Sequence, residues 1–360
     1  MKVLFTCIIA LLLGASFQAA ATVYTVSNVA SRPAQFNTVQ AAVDSAAFGD
    51  TILITGGGAD YARVTTVKPL VYIGEGIANA PASVAGITLN RLNSSLSASG
   101  SKFYGIRFTS SVSLEPNFSG AQVGQDVLED LLFERCSFNS SFGFSSNGIT
   151  KNITVRNCVF TGSTISTFYG QPSWTATYEN LLFINTVFSG GNFSGAGQPN
   201  LNGNLIIRNC IFINRSTSVI SSLIGVVLEN NIFYSAEPTG CISCTYNNNL
   251  TYLCNDNALP PTAGNNVGSG NIVNVNPQFV NYPQLGGAFS FAHNYALQTG
   301  SPAIGSGTNS TNIGLTGGSA PVNNIPQFPK IPAVTEIDIP VSSVPVGGTL
   351  QINLRAVTRD

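Results

Sequence analysis

The sequence predicts an all-β protein, a right-handed parallel β-helix with an N-terminal capping helix and a short C-terminal β segment. Three observations carry this. Five segments align without gaps: Leu131 to Phe138 (LLFERCSF), Ile153 to Phe160 (ITVRNCVF), Leu181 to Phe188 (LLFINTVF), Leu205 to Phe212 (LIIRNCIF) and Val226 to Phe233 (VVLENNIF), each reading apolar-x-apolar-x-x-small-x-Phe. The terminal phenylalanines recur at spacings of 22, 28, 24 and 21 residues, one circuit of a solenoid each with the excess in loops. The composition agrees: of 360 residues 44% are hydrophobic but only 9% are charged, against about 25% in an average globular chain. Gly, Asn, Ser and Thr supply the polarity.

The same numbers exclude several functions. A net charge of −1 leaves no basic field for nucleic acid or an anionic membrane surface. No apolar run beyond the N-terminus approaches the ~18 residues of a membrane span.

At the N-terminus, Lys2, the apolar stretch Val3 to Leu13 and the small residues Ala19-Ala20-Ala21 have the three-part pattern of a secretory signal peptide, residues 1–21. Cys7 leaves with it. Residues 22–50 are expected to form the N-terminal cap, where Phe36, Val39, Ala42 and Val43 fall on one face of a helix near residues 34–47 that stops at Gly49. A cap is required because the first rung of a solenoid otherwise exposes apolar side chains and unpaired backbone.

The β-helix itself is placed at 51–307, in about eight to ten coils. Within each repeat, period-2 alternation makes a strand, and the two-residue interruption resets its phase, so the chain turns a corner before a second short strand. Asn157, Asn185, Asn209 and Asn230 take that corner, where Asn tolerates left-handed backbone and can bond its neighbours along the stack; Arg135 breaks the row. One position earlier, Glu134 is predicted to face Arg156 and Arg208 to face Glu229 on rungs about 4.8 Å apart.

The opening FNTVQAAVDSAAFGDTILITGG, with Tyr61 and VKPLVYIGEG (Val67 to Gly76), is similar to the start of the pectate-lyase-like superfamily of right-handed β-helices. NPQFVN (Asn276 to Asn281) and YALQTGSPAIGSG (Tyr295 to Gly307) resemble the closing segment of exported bacterial β-helix proteins. The resemblance covers residues 33–310 and is specific for fold and superfamily only; with the signal peptide, the chain is expected to be bacterial and secreted or held at the cell surface. Beyond Gly307, residues 308–360 read as a linker or irregular covering, then two alternating segments around Gly347-Gly348 that form a hairpin or cap, packed on the last rung or against a partner.

The superfamily includes lyases, hydrolases, methylesterases and non-catalytic surface proteins, so chemistry has to come from residues. No Asp-Asp pair is present, and the single histidine, His293, sits in the closing segment. Gln125-Asp126-Val127-Leu128 is similar to a methylesterase motif, but the second aspartate segment and the arginine-tryptophan motif are absent. A Ca²⁺-dependent uronate lyase needs clustered carboxylates and a Lys or Arg base. Only Asp126, Glu129 and Asp130, with Glu134, could form that cluster, and Arg107 or Arg135 the base. Outside this alternative no cofactor or metal is expected, and no catalytic residue is assigned.

The longest inter-rung loop, Thr161 to Asn180, holds Phe168, Tyr169, Trp174 and Tyr178, whose rings either fold back to cover the side of the solenoid or stand exposed and stack sugars. The sequence therefore predicts an exported β-helix that binds glycan or a partner protein without catalysis, as a monomer. The alternatives are the uronate lyase and a structural adhesin module. Cys136, Cys158 and Cys210 belong to the repeat and read as buried small hydrophobes. Cys241, Cys244 and Cys254 crowd one loop and are candidates for one disulfide, since export favours oxidation.

Overall fold

In the computed structural model, residues 21–116, 126–162, 166–169, 176–197, 199–340 and 343–358 are described. The proposed signal peptide, with Cys7, lies outside them. The chain winds as a right-handed parallel β-helix of about eight turns. Its strands stack into three faces. The first sheet has ten parallel strands, from Val23–Val26 through Val127–Glu134, Ile149–Arg156 and Thr177–Ile184 to Thr245–Asn247. The second has eight, from Ser83–Val84 to Leu250–Tyr252. The third begins with Val64–Thr66, Ile87–Asn90, Val112–Glu115 and Phe142–Phe144, and shorter sheets continue that side.

The repeats pair in the predicted register. Phe138 lies opposite Phe160, Phe160 opposite Phe188, Phe188 opposite Phe212 and Phe212 opposite Phe233. Their rings stack inside the coil at centroid distances of 4.5, 5.2, 4.8 and 5.0 Å. Phe108 extends the stack by one rung at 5.4 Å, and Tyr72, Phe103 and Phe133 form a parallel stack at 4.7 and 4.6 Å. Each buried ring stabilises by roughly 1.5–3 kcal/mol relative to exposure, so these columns dominate the interior. Two further repeats escaped the sequence alignment. Lys102–Phe108 has Gly105 in place of the corner Asn, and Thr245–Thr251 has Thr where the others end in Phe.

The corner is left-handed throughout. Asn157, Asn185, Asn209 and Asn230 have φ of 50, 46, 53 and 57°, and Arg135, though it interrupts the residue pattern, has φ 55°. The position after the corner holds a second ladder, buried and hydrogen-bonded from rung to rung. The Cys136 amide donates to Cys158 Sγ (3.3 Å), Cys158 to Thr186 Oγ1 (3.4 Å), Cys210 to Asn231 Oδ1 (2.9 Å) and Asn231 to Asn249 Oδ1 (2.9 Å). A small side chain with an acceptor is what each rung needs, which explains why Cys, Thr and Asn interchange here.

At the N-terminal end the helix spans Val39–Ser45, shorter than expected, because Thr38 caps it by accepting from the Ala41 amide (3.3 Å) and Phe36 is extended, bridging Val26. Val39, Ala42 and Val43 face the first coil. Lys68 Nζ donates to the carbonyls of Val43, Asp44 and Ala46 (3.0, 2.9 and 2.7 Å), a cation at the helix C-terminus.

The C-terminal third departs most from expectation. The repeats of the second sheet carry an outward apolar residue just before each Phe: Val159, Val187, Ile211 and Ile232. These form a second core with Phe279, Tyr295, Ile313, Leu315 and Ile325, so residues 276–331 run back along the outside of the coil as a strap. The corner Asn side chains fasten it. Asn230 Oδ1 accepts from the Thr308 amide (3.0 Å), and Asn209 Nδ2 donates to the carbonyls of Asn312 and Gly314 (3.1 and 3.3 Å). Asn185 Nδ2 donates to Leu315 and Gly317 (both 2.8 Å), Asn157 Nδ2 to Ala320 (2.8 Å) and Arg135 Nη1 to Phe328 (3.2 Å). The Asn row thus bonds the strap and not itself, and it is buried. The strap ends beside the first coils, where the Ile77 amide donates to Gln327 O (2.9 Å). The hairpin of Pro332–Asp338 and Asn353–Thr358 therefore begins at the opposite end of the coil from the last rung, on which it was expected to pack.

Candidate functional site

The candidate residues named from sequence separate into groups that the fold treats differently. Phe168 and Tyr178 are buried, not exposed platforms. Phe168 stacks on Phe144 (4.7 Å) and meets Tyr178 edge-on (5.1 Å), while Tyr178 Oη donates to Ser145 O (3.4 Å). Both lie on strands whose alternation turns them into the coil. Tyr169 ends the strand Ser166–Tyr169, and its side chain, like all of Trp174, lies outside what is described.

The carboxylates proposed for Ca²⁺ do not converge. Asp126 is buried and ion-paired with Arg91. Glu129 pairs with Lys151 at 3.0 Å. Asp130 is turned by a left-handed backbone (φ 59°) and accepts from Asn152 Nδ2 at 2.9 Å. Among the described residues no three His, Cys, Asp or Glu side chains gather as a metal site. Gln125 is outside the described residues.

Cys241 and Cys244 form a disulfide, and Cys254 remains a thiol. All three are buried in the last coils: Cys241 begins the strand Cys241–Ile242, and Cys244 takes an inward position at the head of a repeat. Burial pushes the Cys254 thiol up to about 11 and Cys210 up to about 12.

Most remaining charge is fixed within the scaffold. Arg156 meets Glu134 and Arg208 meets Glu229, each at 2.7 Å, as the sequence predicted. Arg32 pairs with Glu75. Glu237 accepts from the amides of Asn255 and Asp256 (2.5 and 3.0 Å), and Asp50 from those of Thr22 and Ala47 (both 2.7 Å).

What stays open is the outer surface of the first sheet. In three successive strands the fourth residue, Asp130, Asn152 and Asn180, is left-handed (φ 59, 54 and 50°) and exposed. Asn180 Nδ2 donates to Asn152 Oδ1 (2.9 Å) and Asn152 Nδ2 to Asp130 Oδ1 (2.9 Å), while Asn204 Oδ1 accepts from the Asn180 amide (3.5 Å). Beside this row stand Glu129, Lys151 and Glu179 in register. The hydrogen bond that Lys151 donates to Glu129 raises its pKa above the ordinary amine value, with smaller effects of Glu179 and Asp130. The result is a flat strip of amides and carboxylates, one rung apart, next to the segment that leads in from Trp174. Sequence reasoning missed it because Asp130, Asn152 and Asn180 lie just upstream of the aligned repeats; the signal is their fixed position, one residue before Leu131, Ile153 and Leu181.

No protein-family model and no curated protein matches the chain. Solved structures that match include a pectin methylesterase variant in complex with a hexasaccharide, at 17% identity and TM-score 0.25, with 64% of this chain and 80% of that one covered. Pectin methylesterase PemA from Erwinia chrysanthemi also matches, at 15% identity and TM-score 0.24, with the same shares covered. The β-helix assignment rests on the sheets of this chain. No helix among the described residues is long and apolar enough to cross a membrane.

Proposed function

We propose that this is an exported, surface or extracellular β-helix that binds a glycan along the open face of its first sheet and performs no chemistry on it. The observation that carries the reading is the exposed row Asp130, Asn152 and Asn180, continued by the half-buried Asn204, spaced by one rung and rich in amide donors and acceptors. Such a row, three amides and one carboxylate, can meet successive hydroxyl-bearing rings of a saccharide chain by hydrogen bonding. The neighbouring ionic groups support this, since Asp126, Glu134, Arg156, Arg208 and Glu229 are already engaged in pairs. Trp174, on the loop that feeds the same face, is the ring proposed to stack a sugar.

A glycan array followed by calorimetric titration tests it. Each amide hydrogen bond contributes about 0.5–1.5 kcal/mol, so Asn152→Ala or Asn180→Ala should weaken binding by roughly two- to ten-fold. Trp174→Ala should do at least as much. Unsaturated product released from polygalacturonate, alginate or glycosaminoglycan with added Ca²⁺ would reject the reading in favour of a lyase. Failure to bind any glycan would leave the adhesin.

A further inference from the structure

The C-terminal hairpin has two chemically distinct faces. Pairing places Ile337 opposite Leu354, and alternation puts Ile339 and Ile352 on the same side. Glu336 lies opposite Arg355 and Asp338 opposite Asn353 on the other, where Asn353 Nδ2 donates to Asp338 Oδ2 (3.2 Å). The apolar side is uncovered: Ile337 is 63% exposed, Leu354 64%, Ile339 and Ile352 50% each. None of these four belongs to either core of the β-helix. An antiparallel pair of strands alone is marginal in water, so this face needs a partner.

We infer that the partner is a second copy of this chain, with the two hairpins packed apolar face to apolar face about a two-fold axis. The four side chains expose on the order of 400 Å², enough for an apolar patch to mark an interaction site. Two copies would bury about 800 Å², the size of a weak, reversible contact. Glu336, Asp338 and Arg355 all point away, so identical faces meet without like-charge repulsion, as an isologous contact demands. A strand added along the hairpin's edge would satisfy backbone but leave the isoleucines in water. This dimer departs from the monomer expected from sequence and is independent of the glycan reading.

Sedimentation velocity of the full chain across nanomolar to high-micromolar concentration tests it. The expected result is a reversible dimer in the micromolar range that the double variant Ile337→Lys, Leu354→Lys abolishes. Glu336→Lys, on the far face, should leave it intact. The melting temperature of the β-helix should be unchanged in both, because these residues lie outside its cores. A wild-type chain that stays monomeric throughout, as it would if the face served a different protein, overturns the inference. So does a dimer that survives the double variant, or one that Glu336→Lys dissociates equally.

Discussion

Asn185 is the most demanding residue of the strap's fastening, and replacing it separates two energies that the structure places on one side chain. Its Nδ2 makes two buried hydrogen bonds, to Leu315 O and Gly317 O, each 2.8 Å. Each such bond contributes about 1 kcal/mol net, and loss of the donor leaves two buried carbonyls short of a partner. Its backbone is left-handed, φ 46°, which costs a residue with a Cβ roughly 1–2 kcal/mol unless, like Asn, it adapts locally. Asn185→Ala should therefore destabilise the strap by about 3–4 kcal/mol, and Asn185→Gly by about 2, since Gly loses the bonds but tolerates the backbone. Because a solenoid need not unfold in one step, the readout should be local. Native-state hydrogen exchange of the strap amides suits it, in particular Gly314, which donates to Asn230 O, and Val322, which donates to Leu315 O. At 1.4 kcal/mol per decade, exchange through local opening should speed up by a hundred-fold or more in the Ala variant and some twenty-fold in the Gly variant. Equal effects of Ala and Gly would refute the backbone argument. Unchanged protection in both would refute the idea that the ladder holds the strap.

Two more expectations follow from burial. Cys136, Cys158, Cys210 and Cys254 are buried thiols, so a water-soluble thiol reagent should not label them at pH 8 until the chain is denatured, when all four should react; rapid labelling of the native chain would contradict the packing. Burial lowers the pKa of His293, whose Nδ1 lies 3.2 Å from Tyr295 Oη. The unfolded chain then binds the proton more readily, so this group should erode stability as pH falls below about 6.5, its unfolded value, the loss levelling off below the lower folded pKa. As the chain has one histidine, its NMR titration reads the shift directly, and His293→Gln should remove that component of the pH dependence; a midpoint at or above 6.5 would contradict it.

The coil was legible because its physics repeats. One Phe per circuit, one apolar-x-apolar pair and one Asn per corner specify strand, turn and register together, and the pairs Glu134 with Arg156 and Arg208 with Glu229 follow from the alignment alone. The strap was not, although half of its contact surface is written in the repeat. Val159, Val187, Ile211 and Ile232 sit where alternation points outward, and apolar residues at such positions announce a covering element without saying which segment supplies it. Phe168 and Tyr178 fall in the span Thr161 to Asn180 that reads as a loop in sequence, but each lies in a strand that continues a face of the coil, so alternation turns them inward. Composition cannot distinguish an aromatic loop from an aromatic rung.

The strap also imposes an order on folding. Asn185 is fastened to residues 130 and 132 positions further along, and Asn157 to one 163 positions further. Coils can form from local closures as the chain is made, but their outer apolar face waits. At a synthesis rate of about 5–20 residues per second, Val159 precedes Leu315, of the same outer core, by roughly eight to thirty seconds. Through that interval the second sheet shows Val159, Val187, Ile211 and Ile232 to solvent, a row of β-branched residues able to recruit another chain. The nascent protein is thus at its most aggregation-prone when its interior is complete, and the strap, made after the coils, is what ends the hazard.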